Sequence, residues 1–324
     1  MVFRVLVTGA TGFLGGAVVR RLGNAAIAQG RDPAQLASLQ RGEFETFRWN
    51  LPDPPTADQR AALRGVDAVV HCAGLSSPFG PRAAFQRANV AGTRAVIDLA
   101  RTLGVRRFVL ISSPSVYFAL TDQLNVPEDA PLPRPFTHYA ESKIQAEVLV
   151  RAAPDLSPVI LRPRGLYGPG DTALLPRLLR AAKSRALPRF RGGVARIDLT
   201  FVDDCVDAIM AALDAPDAVG ATLNISGGEV LKVADIVEQT CARAGLIPRW
   251  RNMPLGPALM AARLAETVAL LRPGQPEPAV TRYGLGLFAF EQSLDITSAR
   301  KGLGWAPKVS FADGLDRVFA KDTT

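Results

Sequence analysis

The chain has 324 residues, a hydrophobic content of 48% and a formal net charge of +8 at pH 7. A chain of this length buries one large core or two modest ones. It has no uncharged apolar run of about 18 residues, and its first predicted strand begins at once without a signal-peptide layout. The sequence therefore predicts a cytoplasmic protein with no membrane span.

The charged residues and the cysteines argue against several classes of site. Arg and Lys are scattered and form no basic helix or aromatic-interleaved patch, so no nucleic-acid partner is expected. Cys72, Cys205 and Cys241 are widely spaced and lack a CxxC pair, which predicts neither a disulfide framework nor a zinc site. Because His71 and His138 are the two histidines of the chain, no histidine-based metal site is expected.

A glycine-rich run, Gly-Ala-Thr-Gly-Phe-Leu-Gly over 9–15, follows the first apolar strand directly. Such a run allows a sharp turn from strand to helix, close approach of the backbone to a pyrophosphate and tight packing of helix on strand. The apolar pattern of 14–22 predicts the helix, whose free N–H groups would face the phosphates. The run predicts a dinucleotide site that includes Gly9, Thr11, Gly12, Phe13, Leu14 and Gly15.

Apolar runs that indicate buried strands alternate with helical patterns along the first half of the chain. The predicted strands are 5–7, 25–28, 68–71, 108–112 and 159–161, and the main helical stretches between them are 85–103 and 137–152. This alternation predicts an α/β fold with a Rossmann-type, doubly wound parallel sheet and helices on both faces.

After Pro163 the pattern loosens into loops rich in Gly and Pro. Helices are predicted at 174–184, 202–213 and 233–244, with a strand at 221–226. We expect a Rossmann domain over 1–163, to which about 195–226 returns, and a smaller, mainly substrate-binding domain over 164–324. The apolar segment 255–271 predicts an amphipathic helix that packs against the domain core, with covering of an apolar substrate as the alternative.

Tyr139 and Lys143 stand four residues apart in a predicted helix, so their side chains lie on one face. An isolated pair of this kind is more often a surface contact, but none of the other three tyrosines has such a lysine partner. A phenol has an ordinary pKa of about 10, and a neighbouring cation favours its phenolate. We expect Tyr139 to exchange a proton with a carbonyl or hydroxyl group while hydride moves to or from nicotinamide.

The glycine run and the Tyr-Ala-Glu-Ser-Lys segment together resemble the extended branch of the short-chain dehydrogenase/reductase family, the NAD-dependent epimerase/dehydratase type. Matches to this branch span nearly the whole chain. Segment 196–203 looks more like the 3β-hydroxysteroid dehydrogenase-like group, which includes bacterial β-hydroxyketone reductases.

The resemblance implies further site residues. Aligning Val116-Tyr117 with the family's Val-Tyr ending selects Ser113 as the hydroxyl that orients the substrate carbonyl, while Ser112 and Ser115 remain alternatives. The remaining implied cofactor contacts are the ribose segment Cys72, Ala73 and Gly74, the adenine contacts Asn50 and Leu51, and Pro163 beside the nicotinamide amide.

The end of the second strand indicates which cofactor is bound. The resemblance places Gly30, where NAD-preferring members have an acidic residue, directly before Arg31. Because Arg pairs bidentately with phosphate, we expect NADP(H) to be favoured over NAD(H). Asp32 would overturn this if the loop carried its carboxylate into the acidic position.

The resemblance does not by itself identify the substrate. Loop 167–171 resembles one found in sugar-nucleotide enzymes. Those enzymes often have Arg-Pro-x-Asn before this loop, with the asparagine on the diphosphate, whereas this chain has Arg-Pro-Arg-Gly at 162–165. Arg164 or Arg196 could substitute for the missing diphosphate contact. We expect a ketone or secondary alcohol on a hydrophobic, steroid-like or β-hydroxyketone-like substrate. The alternatives are a nucleoside diphosphate sugar epimerase or dehydratase and a non-catalytic NADP-sensing protein. A homodimer is an option.

Overall fold

The computed structural model describes residues 3–320, in which strands and helices alternate along the chain. The strands are β1 Val5–Thr8, β2 Ala26–Gly30, β3 Glu45–Arg48, β4 Ala68–His71, β5 Arg107–Ile111, β6 Gln123–Val126, β7 Pro158–Pro163, β8 Leu166–Tyr167, β9 Leu187–Arg189, β10 Arg196–Asp198, β11 Thr200–Phe201, β12 Thr222–Ile225, β13 Val230–Lys232, β14 Trp250–Asn252 and β15 Gln292–Leu294. The helices are α1 Phe13–Leu22, α2 Pro33–Arg41, α3 Ala57–Ala62, α4 Arg82–Phe85, α5 Gly92–Leu103, α6 His138–Arg151, α7 Leu174–Ser184, α8 Val202–Asp214, α9 Val233–Arg243, α10 Leu255–Leu270, α11 Arg282–Ala289, α12 Thr297–Leu303 and α13 Phe311–Phe319.

Seven parallel strands form the main sheet, in the order β12-β7-β5-β4-β1-β2-β3. The strand order reverses between β1 and β4, and in such sheets ligands bind beyond the carboxyl ends of the strands at this reversal. The predicted α/β, doubly wound fold is confirmed. The sheet also brings the glycine run after β1 beside the residues that follow β4.

Both faces of the sheet are covered, which explains the continuous apolar strands. Along β1, Val5 and Val7 pack with α1 and α8, whereas Leu6 faces the opposite layer with α5 and α6. This alternation follows from the pleat of a strand, and it buries every residue of β1.

A second sheet has the strand order β13-β10-β15-β6. Its strand β6 comes before residue 163 in the chain, and its strand β10 comes after it, while β12 returns to the main sheet. The chain therefore crosses between the two sheets more than once. The domain boundaries at 163 and at about 195–226 stay predictions.

Three local features differ from the sequence predictions. The stretch predicted as one helix over 85–103 divides into α4, a π-helical segment over 86–91 and α5. The edge strand β3 was not predicted, because Phe47 is its one buried residue. Segment 255–271 packs against a core cluster as expected, through Leu255, Ala258, Leu259 and Ala262, but it leaves an apolar face exposed that the sequence did not indicate.

A buried ion pair joins α6 to the sheet. Glu147 of α6 is fully buried and accepts hydrogen bonds from Arg162 of β7, at 2.8 Å from Nε and 2.6 Å from Nη2. It also accepts a 2.6 Å hydrogen bond from the Ser112 hydroxyl after β5. Burial raises the pKa of Glu147, but the hydrogen bond and charge of Arg162 and the Ser112 hydrogen bond outweigh this and hold it below its ordinary value.

We predict that Glu147→Gln destabilises the protein by about 3–5 kcal/mol, because the buried Arg162 charge loses its carboxylate. The free energy of unfolding in urea checks this value. The wild-type pair should stabilise the fold above the ordinary carboxyl pKa of about 4.3 and lose its effect as pH falls through the lowered pKa of Glu147. The variant should therefore lose less stability on acidification.

A matched control is Asp155→Asn, which breaks an exposed ion pair with Arg101 at 2.9 Å. Exposed pairs contribute about 0–1 kcal/mol, so this variant should remain close to wild type. Equal unfolding free energies for Glu147→Gln and Asp155→Asn would contradict the role assigned to the buried pair.

Candidate active site

The glycine run forms a tight turn between β1 and α1. Gly9 has φ of +67°, and a Cβ added there would lie 2.7 Å from the Ala73 backbone, while one added at Gly15 would lie 2.3 Å from the Gly9 carbonyl oxygen. The first turn of α1 has no side-chain cap, so its N–H groups can bind an anion. Thr11 and Phe13 are half-buried, and Leu14 is buried beneath them. This cradle fits the pyrophosphate of a dinucleotide.

The end of β2 lies against the glycine run. A Cβ at Gly30 would come within 2.9 Å of the Thr11 side chain, and no carboxylate occupies this position. Arg31 is exposed, whereas the Asp32 carboxylate caps α2 by accepting a hydrogen bond from the Ala34 N–H at 2.9 Å. Asp32 is therefore engaged by its own helix.

The predicted adenine contacts follow β3. The exposed Asn50 donates a 2.6 Å hydrogen bond to Asp53, and Leu51 packs at the edge of the core under α5. This segment lies next to β2, since β2 and β3 pair in parallel.

A buried histidine fixes the loop after β4. The Thr93 hydroxyl donates to the Asn89 carbonyl at 2.6 Å, so the hydrogen-bond network assigns the proton to His71 Nε2, which donates to Thr93, while Nδ1 accepts from Thr8 at 2.6 Å. Burial, with the charge of Lys143, lowers the pKa of His71 to about 3, so the ring is neutral at pH 7. The Thr8 hydroxyl also accepts the Ala73 N–H at 3.2 Å.

Tyr139 and Lys143 lie on one face of α6, beside the carboxyl ends of β4 and β5. The Lys143 ammonium is buried, donates to the Ile111 carbonyl at 2.8 Å and lies 5.9 Å from the centre of the Tyr139 ring. A Cβ at Gly74 would lie 3.6 Å from Lys143 Nζ. Burial raises the pKa of Cys72 to about 12, against the opposing charge of Lys143. The loop after β4 therefore lies next to the Lys143 ammonium.

The three candidate serines differ in their partners. Ser112 donates its proton to Glu147. The Ser113 hydroxyl is half-buried and accepts the Ser115 N–H at 3.2 Å, which leaves its proton free for a ligand. Ser115 Oγ is buried with no hydrogen-bond partner among residues 3–320. The Ser112 hydroxyl thus has its proton in a structural hydrogen bond, whereas the Ser113 and Ser115 hydroxyls donate to no group among residues 3–320. Pro163, the predicted neighbour of the nicotinamide amide, lies buried at the end of β7.

Asn89 clamps the loop after β4 to α6. Its side chain accepts the Leu75 N–H at 2.7 Å and donates to the Leu75 carbonyl at 3.1 Å and to Ser142 at 2.8 Å. Ser142 in turn donates to the Tyr139 carbonyl at 2.7 Å. Asn89 lies in the π-helical segment, a distortion that is frequent at functional sites.

A cavity of about 410 Å³ opens at the start of α6. Thr137 and His138, which directly precede Tyr139, line it, as does Tyr283 of α11. Burial raises the pKa of Tyr283. The charge of Arg164 lowers this pKa and the charge of Tyr139 raises it, so both groups lie close enough to the Tyr283 hydroxyl to influence its ionisation. The cavity therefore begins at the two residues that directly precede Tyr139, while Tyr139 itself does not line it.

The structure brings together the glycine run, Cys72–Gly74, Ser113, Tyr139 and Lys143 at the carboxyl edge of the sheet. Their roles stay predictions. The sequence analysis missed Glu147 and Tyr283; Glu147 continues the four-residue spacing of Tyr139 and Lys143, which was an available signal. In the described part of the chain, no group of His, Cys, Asp and Glu has the arrangement of a metal site, and no helix is long and apolar enough to cross a bilayer.

Known proteins resemble this chain in sequence and in fold. The profile of the NAD dependent epimerase/dehydratase family matches residues 5–226. A 2-alkyl-3-oxoalkanoate reductase of Stenotrophomonas maltophilia is 33% identical over 98% of both chains. The human decarboxylating sterol-4-alpha-carboxylate 3-dehydrogenase is 29% identical over 97% of this chain and 87% of its own.

Among solved structures, DesIV, a dTDP-glucose 4,6-dehydratase from Streptomyces venezuelae with NAD bound, is 26% identical and superposes with a TM-score of 0.74. The superposition covers 98% of this chain and 96% of that one. The predicted recognition of an extended short-chain dehydrogenase/reductase is confirmed. The chain belongs to the NAD dependent epimerase/dehydratase family and is an NAD(P)-dependent oxidoreductase.

Proposed function

We propose that this oxidoreductase uses NADP(H) to interconvert a ketone and a secondary alcohol on a hydrophobic substrate. The observation that carries the proposal is the arrangement of Tyr139 and Lys143 beside the loop that follows β4, with the ammonium 5.9 Å from the phenol ring. A bound nicotinamide supplies or accepts the hydride. The glycine run would hold the pyrophosphate, and Cys72, Ala73 and Gly74 would border the ribose.

Tyr139 is the proposed acid and base. Reduction of a ketone places negative charge on its oxygen, and the Tyr139 hydroxyl would donate a proton there; in the reverse direction its phenolate would accept one. The buried Lys143 favours the phenolate by its charge and is held in place by the Ile111 carbonyl. Ser113 would orient the carbonyl oxygen by donating its free proton.

The cavity lining supports an apolar substrate. Phe79, Phe136, Leu270 and Tyr283 supply apolar surface to the cavity. The names of the two relatives describe reactions at a C3 oxygen of an alkyl chain and of a sterol. We extend this chemistry, oxidation or reduction at a carbon that carries an apolar body, to the present chain.

Two arginines that could have replaced a diphosphate-binding asparagine are paired with acids. Arg164 is buried and lies 3.0 Å from Asp198, and Arg196 lies 3.5 Å from Glu291. An arginine already neutralised by a carboxylate offsets less of the cost of removing two phosphates from water. This supports a ketone substrate over a sugar nucleotide.

A nucleoside diphosphate sugar is the second candidate substrate, and one observation favours it. Arg134 and Arg263 line the cavity, and neither forms an ion pair within the described residues. Free cations at a cavity are suited to phosphate recognition. DesIV, a protein of similar fold, acts on such a sugar according to its name.

The proposed cofactor preference rests on the end of β2. Gly30 offers no carboxylate to the ribose hydroxyls, Asp32 is used as the cap of α2, and the exposed Arg31 follows directly. A guanidinium at this point suits a 2′-phosphate.

We predict that Arg31→Ala raises the Kd for NADPH about tenfold to a hundredfold, which corresponds to the loss of about 1.5–3 kcal/mol from a charge-assisted phosphate contact. The Kd for NADH should change little. Titration of nicotinamide fluorescence measures both. Arg41→Ala, at the other end of α2, is the matched control and should leave both constants near wild type. Equal weakening of NADPH and NADH by Arg31→Ala would rule out phosphate recognition.

We also predict that kcat/KM for NADPH-dependent reduction rises along a series of ketones with lengthening alkyl chains. Each buried methylene contributes about 0.8 kcal/mol, so two or three should raise kcat/KM tenfold or more until the cavity is full. UDP at millimolar concentration should not inhibit. Strong inhibition by UDP together with a flat response to chain length would transfer the assignment to a sugar nucleotide.

A further inference from the structure

Exposed apolar side chains are concentrated in one short stretch of the chain. Of the fifteen large apolar side chains that are exposed within residues 3–320, seven fall between 247 and 271. They are Ile247, Met253, Met260, Leu264, Val268, Leu270 and Leu271. Single exposed apolar residues are ordinary, but a contiguous group marks a surface that another body covers.

Helix α10 presents much of this group as a ridge along its outer face. Met260, Leu264, Val268 and Leu271 follow a helical spacing of three to four residues and are 74%, 66%, 42% and 82% exposed. The buried residues of α10 are two alanines on its opposite face. The helix packs on the protein through these alanines together with Leu255, Ala258 and Leu259, and it leaves the large side chains of its outer face in solvent.

The surroundings of this ridge are basic. Residues 246–276 contain Arg249, Arg251, Arg263 and Arg272 and a single acid, Glu266. Glu266 is already paired with Arg282 at 2.7 Å. The four arginines form no ion pair with an acid in the part of the chain that the structure describes. Two of these arginines, Arg263 on α10 and Arg272 just after it, thus place positive charge without an acidic partner beside the apolar ridge.

The ridge borders the cavity of the candidate active site. Arg263, Thr267 and Leu270 of α10 line the cavity, while Leu264 and Leu271, each one residue further along, lie on the outer face. Whatever covers the ridge therefore lies next to the mouth of the cavity.

We propose that the outer face of α10 docks on the surface of an anionic lipid bilayer. An apolar helix ridge flanked by cations is suited to the boundary between acyl chains and acidic headgroups, where both its apolar area and its charge contribute to binding. A second copy of the chain fits less well. Two such faces would bring like charges together, and Glu266 is not free to compensate them.

When the protein docks in this orientation, the mouth of the cavity lies next to the bilayer. An apolar substrate dissolved in the membrane would then reach Tyr139 without crossing water. The docking itself does not depend on the proposed reaction, because it rests on the exposure and charge of α10.

Vesicle sedimentation with the full-length protein tests the proposal. The wild type should sediment with vesicles of phosphatidylcholine mixed with phosphatidylglycerol, bind much less to phosphatidylcholine alone, and be released by added salt. The double variant Met260→Glu/Leu264→Glu should lose binding at least about tenfold, because two apolar contacts become acidic.

The matched control is Val219→Glu. Val219 is 47% exposed and lies near the amino ends of β7 and β12, away from the cavity, where the following residue donates to the Pro158 carbonyl at 2.7 Å. This variant should bind vesicles like wild type. If the double acidic variant does not fold, as judged by circular dichroism, Met260→Gln/Leu264→Gln should show a smaller loss in the same direction.

Two results would overturn the proposal. One is equal sedimentation of wild type and the α10 double variant. The other is a wild type that binds neither kind of vesicle and is dimeric by light scattering while the double variant is monomeric. A second copy of the chain would then cover the ridge.

Discussion

The buried contact between Glu147 and Arg162 is the constraint on which the geometry of the site depends. Tyr139, Lys143 and Glu147 follow each other at four-residue intervals on α6, so the carboxylate that binds β7 also sets the depth and rotation of the helix that carries the phenol and the ammonium. Arg162 also donates to Tyr117, and the Tyr117 hydroxyl donates to Asn224 of β12 at 3.1 Å. The charge pair thus links α6 to two strands.

A second set of contacts brings the cofactor side of the site to the same helix. The neutral His71 ties β1 to β4, and Asn89 joins the loop after β4 to α6. The Lys143 ammonium completes this arrangement at the end of β5. The ends of β1, β4 and β5 therefore meet α6 where the strand order reverses. The cavity opens at the start of α6, next to α10, whose outer apolar face remains in solvent.

Local signals in the sequence were sufficient for the sheet, the glycine run and the spacing of Tyr139 and Lys143, because each depends on neighbouring residues alone. The partners of Glu147 depend on how a helix packs on a strand, which the sequence does not state. The strand β3 lies at the sheet edge with Phe47 buried, so it lacks a continuous apolar run. Composition predicted that α10 is an apolar helix, but not which face stays uncovered.

The most direct test of the account follows the hydride. NADPH carrying deuterium at C4 is incubated with the ketone that the wild type reduces best, and the product is analysed by nuclear magnetic resonance. We expect deuterium on the carbinol carbon, one cofactor oxidised for each alcohol formed, and a rate about 100-fold lower in Tyr139→Phe. An alcohol without deuterium, near-native turnover of Tyr139→Phe, or a sugar nucleotide converted with the cofactor returned unchanged would contradict it.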